Sequence, residues 1–375
     1  MDAFHLMIGE RIALARKERG LKQEELSDRL GFNDRQILSN IESGKRRVTS
    51  EELVQLMNLL GKPLEYFTDP TLIVGEGIMS WRAEAESAEM EQFESWALGI
   101  VGIHRQLRKQ LRDKPSPLRE FLPLDRNSTF EAAAKAGEDL VKLWDIAPVP
   151  AERLQEKIEE ELDVLVLAVD APDNVSGGAI SVSESAAIFI NRKHGRGRRN
   201  FTLAHELFHV LTWHTMPPSK IDPEPKNEGG KRPRSELLAD NFAAAVLMPF
   251  SVLAEKLQEW RKTTALPGRQ TAAQAPPKIW FRQTAEFFQV SILALKYRLM
   301  NAKLVLKKAL DGQDLDAHEE TSPCLPFGRL LLDRLNRGID SGFISARRAA
   351  SLLKTSLDNL GALICSHGLE PAFSL

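Results

Sequence analysis

The sequence predicts an α+β protein that is mostly α, and three observations carry that prediction. Strand-like runs are confined to one stretch, where Val164–Val169, Ala179–Val182 and Ala187–Ile190 are short and rich in β-branched or apolar residues. Helical spacing dominates on both sides of that stretch. The chain has 375 residues, too many for one ordinary core, so these elements must be shared among domains. The expected organisation is a five-helix domain over 1–70, a helical connector over 71–127, a small-sheet domain over 128–310 and a helical tail over 311–375.

Composition narrows the setting. Hydrophobic residues make up 43% and charged residues 27%, the balance of a soluble globular protein. No apolar run reaches the ~18 residues a membrane crossing needs. Met1–Glu10 lacks a basic stretch leading into an apolar core, so no secretory signal is expected. The two cysteines, Cys324 and Cys365, have no metal-type spacing, and a reducing, cytoplasmic compartment is expected. The net charge of −2 leaves any nucleic-acid case to local features.

Taken in order, residues 7–67 read as short helices ended by Gly20, Gly31, Gly44 and Gly61. Gln23-Glu-Glu-Leu-Ser27-Asp-Arg-Leu-Gly31 has helix-turn-helix spacing. Ser27 is small enough for two helices to cross closely, and Gly31 supplies the turn. A second helix over Asp34–Glu42 would then enter the major groove, followed by the cationic loop Gly44-Lys-Arg-Arg47. The candidates for base contact are Asp34, Arg35, Gln36 and Ser39, and those for phosphate are Gln23, Lys45 and Arg46. Residues 1–70 hold 11 Lys/Arg against 12 Asp/Glu, but Arg29–Arg47 holds five basic residues against Asp34 and Glu42, so DNA affinity would come from that strip. The alternative is a helix-turn-helix turned to protein contact.

This region resembles the Xre/lambda-repressor-like family. The resemblance rests on Leu21-Lys-Gln-Glu-Glu-Leu26, Ser39-Asn-Ile-Glu-Ser-Gly-Lys-Arg46, Ser50-Glu-Glu-Leu53 and Leu64-Glu-Tyr-Phe67. It departs from the family in carrying one extra residue between Gly31 and Ile41-Glu42, which shifts the register of the recognition helix. Operator DNA is the partner it implies.

The connector reads as one long helix over 81–112, with Phe93, Trp96, Ile100, Ile103, Leu107 and Leu111 as a narrow apolar seam. The seam suggests a homodimer formed along this helix; packing against the chain's own domain is the alternative. Lys114–Asn127, with Pro115, Pro117 and Pro123, ends it, and a capping box at Ser128-Thr-Phe-Glu131 opens the next helix. Beyond the strands lie a polar loop at Pro217–Arg234 and an Ala/Gln/Pro-rich segment at Thr263–Lys278, expected to be exposed. Thr284–Met300 reads as helical and resembles a second helix-turn-helix-like element with Val290-Ser291 at its turn. Residues 325–375 read as helical, with Gly342-Phe-Ile-Ser345 opening a helix.

Phe201-Thr-Leu-Ala-His205-Glu206-Leu-Phe-His209 contains an HExxH motif on an apolar helix. Residues i and i+4 share a face, so both imidazoles can reach one ion. Zinc accepts imidazole nitrogen and carboxylate oxygen and lowers the pKa of water toward neutrality, and Glu206 would take that water's proton. The third ligand is expected at Glu236 in the apolar helix Ser235-Glu-Leu-Leu-Ala-Asp240, ended by Pro249. Asp240, one turn on, would orient a ligand imidazole. The bland readings are core histidines beside a paired glutamate, and a Glu236 favoured by the helix dipole. Thr212 and Thr215 stand where a metzincin needs Gly and His, so that class is rejected; His214 is out of register and reads as a surface residue. His194 lies in the basic run Asn191–Arg199, either a solvated loop or a cationic rim to the site.

The assembled pattern resembles the ImmA/IrrE family of metallopeptidases over about 128–300. It is carried by Val175-Ser-Gly-Gly178, Ala187-Ile-Phe-Ile-Asn191, Arg199-Asn-Phe-Thr-Leu-Ala-His-Glu-Leu-Phe-His209 and Glu236-Leu-Leu-Ala-Asp-Asn-Phe-Ala-Ala-Ala-Val-Leu-Met-Pro249. The resemblance implies a zincin-like fold with His205, His209 and Glu236 on zinc and Glu206 as general base. It also implies Asp240 as the orienting acid of gluzincin-type sites, and cleavage of helix-turn-helix repressors to release genes for mobile-element transfer or stress response. Phe208 stands where the family usually has Gly, which would narrow the pocket. An edge strand within Ala179–Ile190 is the candidate to pair with an extended substrate. The rival reading is a regulator that binds DNA and senses zinc without proteolysis; a weaker one is an amidase of small molecules.

Overall fold

The computed structural model describes residues 3–75, 78–83, 87–114, 122–182, 185–222, 232–264, 276–310 and 322–374. Five short helices, α1 (Ala3–Glu18), α2 (Gln23–Arg29), α3 (Arg35–Glu42), α4 (Ser50–Leu60) and α5 (Leu64–Thr68), enclose a core that includes Ile12, Leu26, Leu38, Ile41, Leu56 and Phe67. α1 crosses α3 at Gly9, where a Cβ would lie 2.2 Å from the Ile41 carbonyl oxygen, so a side chain there would force the helices apart. Ser27 is buried, as the crossing of a helix-turn-helix requires. Gly31 takes up the left-handed conformation (φ 72°) after α2, and the Phe32 N–H returns to the Ser27 carbonyl. Asp34 then caps α3 by accepting the Gln36 N–H at 2.8 Å. Thr49 and Glu52 form a reciprocal capping box at α4.

The chain divides into two compact units, 1–77 with 94–113, and 78–93 with 114–375. The stretch expected as a connector therefore contributes to both, and two expectations for it are corrected. Ile78–Ala83 is a strand, β1, and the helix that follows (α6, Ala88–Gln110) starts later than the expected 81–112. The seam is also filled from within the chain. Ile100 is 0% and Leu107 2% exposed, and Ala97, Val101, Gly102 and His104 beside them are buried too. A Cβ on Gly102 would lie 1.7 Å from the Thr71 carbonyl oxygen. The Phe93 ring packs on Trp81 and Phe189, with centroids 5.2 and 6.1 Å away. A helix buried on most sides offers no stripe to a second copy, so the seam is core rather than a dimer interface.

β1 joins β2 (Val164–Val169), β3 (Val175–Val182), β4 (Ser185–Asn191) and β5 (Ile221–Asp222) in a sheet of order β2-β4-β3-β1-β5. β3 runs antiparallel to β4 and β1; β2 is parallel to β4, and β5 to β1. Every residue of β2 and β4 is buried, which explains their continuous apolar runs. The expected edge strand is corrected as well: Ala179–Ile190 lies inside the sheet, whose edges are β2 and β5. The β2 edge is partly covered by a later segment, whose Phe327 N–H donates to Ala168 O at 2.8 Å.

Helices complete this unit. α7 (Phe130–Trp144) opens one residue later than expected. Thr129, not Ser128, accepts the Ala132 N–H, while Ser128 closes a turn with Asp125. After α8 (Leu154–Leu162), α9 (Arg196–Thr212) crosses β3 at Gly177, where a Cβ would lie 2.4 Å from the Thr202 γ-methyl. α10 (Arg234–Leu247) packs on α7 at Gly137 and is followed by α11 (Phe250–Thr264). α12 (Lys278–Phe288) and α13 (Ile292–Asn301) meet at the expected turn, with Ser291 capping α13. α14 (Lys307–Leu310) precedes the tail helices α15 (Arg329–Asp340), α16 (Ala346–Leu352) and α17 (Leu357–Ser366). Ser345 opens α16 and Ser356 opens α17. Pro115, Pro117, residues 223–231 of the loop at Pro217–Arg234 and residues 265–275 of Thr263–Lys278 lie outside the described residues. Among the described residues no single helix is long and apolar enough to cross a membrane.

Candidate metal centre

α9 is buried from Thr202 to Thr212, so its polar side chains must find partners within the fold. His205 and His209, one turn apart, bring their rings to a centroid distance of 4.9 Å. α10 starts at Arg234, which places Glu236 in its first turn and Asp240 one turn later. Apolar contacts hold the two helices together, among them the rings of Phe208 and Phe242 at 5.5 Å. Phe208 is wholly buried in this contact, so it fills the core between α9 and α10 rather than narrowing a cleft.

The two helices bring His205, His209 and Glu236 to one point. His205 Nε2 lies 3.1 Å from both Glu236 Oε2 and His209 Nε2, and His209 Nε2 lies 3.3 Å from the same carboxylate oxygen. Zinc with bonds of about 2.0–2.1 Å holds tetrahedral ligands roughly 3.3–3.4 Å apart, so these three atoms have the spacing of ligands on one ion. Their chemistry agrees, since two imidazole nitrogens and a carboxylate oxygen suit zinc. Among the described residues this is the one cluster whose donor atoms gather so closely. Asp240 Oδ1 accepts from His205 Nδ1 at 3.0 Å, which fixes the ring and aims Nε2 inward. Arg232 in turn pairs with the other oxygen of Asp240. Nδ1 of His209 is buried with no hydrogen-bond partner among the described residues, so His209 lacks an equivalent brace.

Electrostatics follow from this burial and pairing. Burial works against charge on His205, but hydrogen bonds to Asp240 and Glu236 outweigh it and push the imidazole up to about 9. Burial would raise Glu236, yet hydrogen bonds from His205 and His209 hold it well below the usual carboxylate range. Asp240 is likewise pulled down to about 2 against its burial, by His205 and by the charges of Arg232 and Arg82. Glu206 differs. It is 2% exposed, and burial pushes it up despite the nearby imidazoles. Among these acids it alone is shifted toward holding a proton.

Other expected residues fall elsewhere. His214 is exposed beyond α9. The basic run is largely paired: Arg192 with Asp170, Lys193 with Asp173, Arg198 with Ser176, and Arg199 with the carbonyls of His194 and Ser322. In the N-terminal unit, Arg35, Gln36 and Ser39 lie on α3, whose first turn Asp34 caps. Gln36 is exposed and its amide donates to Asn40 Oδ1 at 3.3 Å. Gln23 donates to Glu42 at 2.6 Å, and Arg46 is held by both oxygens of Glu52. Lys45 is exposed in the loop after α3.

Two arginines near the metal cluster carried no motif. Arg232 stands just before α10 and braces Asp240, while Arg82 on β1 acts electrostatically on three site residues. A basic residue shortly before the paired acids Glu236 and Asp240 is the signal that could have pointed to Arg232. Arg82 reaches the site only through sheet pairing with β3, which its local sequence does not announce.

Fold and site together define a helix-turn-helix unit joined to an HExxH-bearing unit with the donor set of a metal site. Comparison with known proteins gives the families. A helix-turn-helix family model matches residues 12–67, and one described as the IrrE N-terminal-like domain, a peptidase family, matches 159–300. The chain is 38% identical over 65 residues to an uncharacterized HTH-type transcriptional regulator, y4dJ, of Sinorhizobium fredii, a match covering 17% of this chain and 83% of that protein. The chain belongs to the helix-turn-helix regulators and carries an ImmA/IrrE domain fused behind that unit.

Proposed function

We propose that this protein is a cytoplasmic DNA-binding regulator whose ImmA/IrrE domain is a zinc-dependent endopeptidase. The observation that supports it most is the convergence of His205 Nε2, His209 Nε2 and a Glu236 oxygen within 3.1–3.3 Å, beside a buried Glu206. A zinc ion bound there would supply a Lewis acid that lowers the pKa of water and polarises a peptide carbonyl. The chain's own groups do the rest. Asp240 and Arg232 set the ring of His205. The apolar packing between α9 and α10 limits water around the site. Glu206 takes a proton from the attacking water and returns it to the departing amine.

The substrate we propose is a helix-turn-helix repressor whose cleavage releases genes of a mobile element, phage or stress response. Glu206 separates this reading from that of a zinc sensor, since a sensor has no use for a base next to its ligands. The metal assignment is tested first by elemental analysis. The purified chain is expected to hold about one zinc per protomer, and His205→Ala with His209→Ala to hold none. Full zinc retention in the double variant would remove the site from the proposal.

A further inference from the structure

The sheet brings one more cation to the metal cluster. β1 and β3 pair so that Arg82 faces Gly177 and Trp81 faces Gly178. Directly opposed residues project to the same face of a sheet, and successive residues to opposite faces. A Cβ on Gly178 would meet the Trp81 ring at 2.3 Å, and Trp81 packs on Phe189, so that trio marks one face. A Cβ on Gly177 would meet Thr202 of α9 at 2.4 Å, so Gly177 and Arg82 mark the other. Thr202 lies one helical turn before His205 and Glu206, on their side of α9. The absent side chain at Gly177 lets α9 come close to the sheet beside Arg82. Arg82 is half-buried, with its Nε shielded from solvent. Its charge is felt at His205, Glu206 and Asp240 alike.

We propose that Arg82 is a further catalytic residue, whose guanidinium donates to the carbonyl oxygen of the scissile peptide as that oxygen becomes anionic. The inference rests on the peptidase reading above. In the step it serves, a water oxygen forms a bond to the carbonyl carbon and loses its proton to Glu206. The carbonyl π pair moves onto oxygen, and that negative charge is what Arg82 meets. When the C–N bond breaks, its electron pair leaves with nitrogen, which takes the proton from Glu206, while the oxygen charge returns to re-form the carbonyl. The planar fork of donors on a guanidinium suits a developing oxyanion better than a point charge.

The test uses the full zinc-loaded chain and Arg82→Met and Arg82→Lys. Two probes are titrated calorimetrically: the dipeptide N-phosphoryl-Leu-Trp, whose tetrahedral anion mimics the charged species, and acetohydroxamate, which needs only the metal. Turnover is followed on a mixture of unfolded peptides, with and without added guanidinium. The expected result for Arg82→Met is one retained zinc, unchanged acetohydroxamate affinity and phosphoryl-dipeptide affinity lower by ~100-fold. Its kcat should fall by ~10²–10³ with little change in KM, partly restored by guanidinium, and Arg82→Lys should be intermediate. Unchanged phosphoryl-dipeptide affinity and kcat in Arg82→Met overturn the proposal. If neither variant folds with one zinc, Arg82 is a structural counter-ion and the proposal also falls. If the wild type cuts no peptide yet binds the phosphoryl dipeptide in an Arg82-dependent way, the peptidase reading fails while the placement of Arg82 at the site stands.

Discussion

Replacing Asp240 with Ala removes the 3.0 Å bond that orients His205, and its effect on zinc affinity has two parts of opposite sign. Loss of the brace lets the imidazole rotate, which for metal-orienting carboxylates costs about 10–100-fold in affinity. Proton competition works the other way. His205 is raised to about 9 by Asp240 and Glu236, so at pH 7 zinc must displace a proton held with about a hundredfold bias. Without Asp240 that proton is held less tightly, and part of the loss is refunded. At pH 9.5 the competition is nearly gone and the full cost should show. Affinity measured against a chromophoric chelator at pH 7.0 and 9.5 is therefore expected to fall in the variant at both, and further at 9.5. The same linkage sets the stability of the metal-free protein. The contribution of His205 is complete below its ordinary 6.5 and lost as pH rises through about 9. Wild-type affinity in Asp240→Ala at both pH values would show that Asp240 merely neutralises Arg232, and the account of how His205 is aimed would be wrong.

Two further outcomes follow from the N-terminal unit. Ile100→Glu places a carboxylate at a fully buried position of α6 and should destabilise the chain by several kcal/mol in chemical denaturation; a stable protein that only changes its oligomeric state would restore the seam as an interface. Lys45→Ala should weaken binding to all DNA sequences alike and reduce the salt slope by about 1, whereas Arg35→Ala should chiefly reduce discrimination between sequences. Parallel losses on specific and random DNA for both variants would contradict that division.

What could be read from the sequence was what local chemistry determines. The two histidines of HExxH on one helix and Glu236 with Asp240 on another name four of the clustered residues, because i and i+4 share a face whatever surrounds them. The helix-turn-helix was legible for the same reason, through Ser27 and Gly31. Pairings distant in sequence were not. β1 sits just before a strong helical pattern, and its partners β3 and β5 come much later in the chain. That hid both the strand and Arg82. The interior position of Ala179–Ile190 was hidden with it, since β1 is what covers β3. The α6 seam looked narrow because most of its other buried positions, Glu94, Ala97, Gly102, His104 and Arg108, are small or polar residues that a hydrophobic pattern passes over, and Val101 stands alone among them. At α7 the neighbours Ser128 and Thr129 can both cap, and only the turn at Asp125 decides between them.

In the proposed reaction, His205, His209 and Glu236 hold a zinc ion and Glu206 turns it to peptide hydrolysis. Mass spectrometry of candidate helix-turn-helix repressors, incubated with zinc-loaded wild type and with Glu206→Gln, tests this most directly. The wild type should cut a repressor among them into defined fragments and stop when the metal is chelated. Glu206→Gln should keep one zinc while cleaving ~10²–10⁴ times more slowly. Repressors all left intact by the wild type, or cut equally fast by Glu206→Gln, would contradict the account.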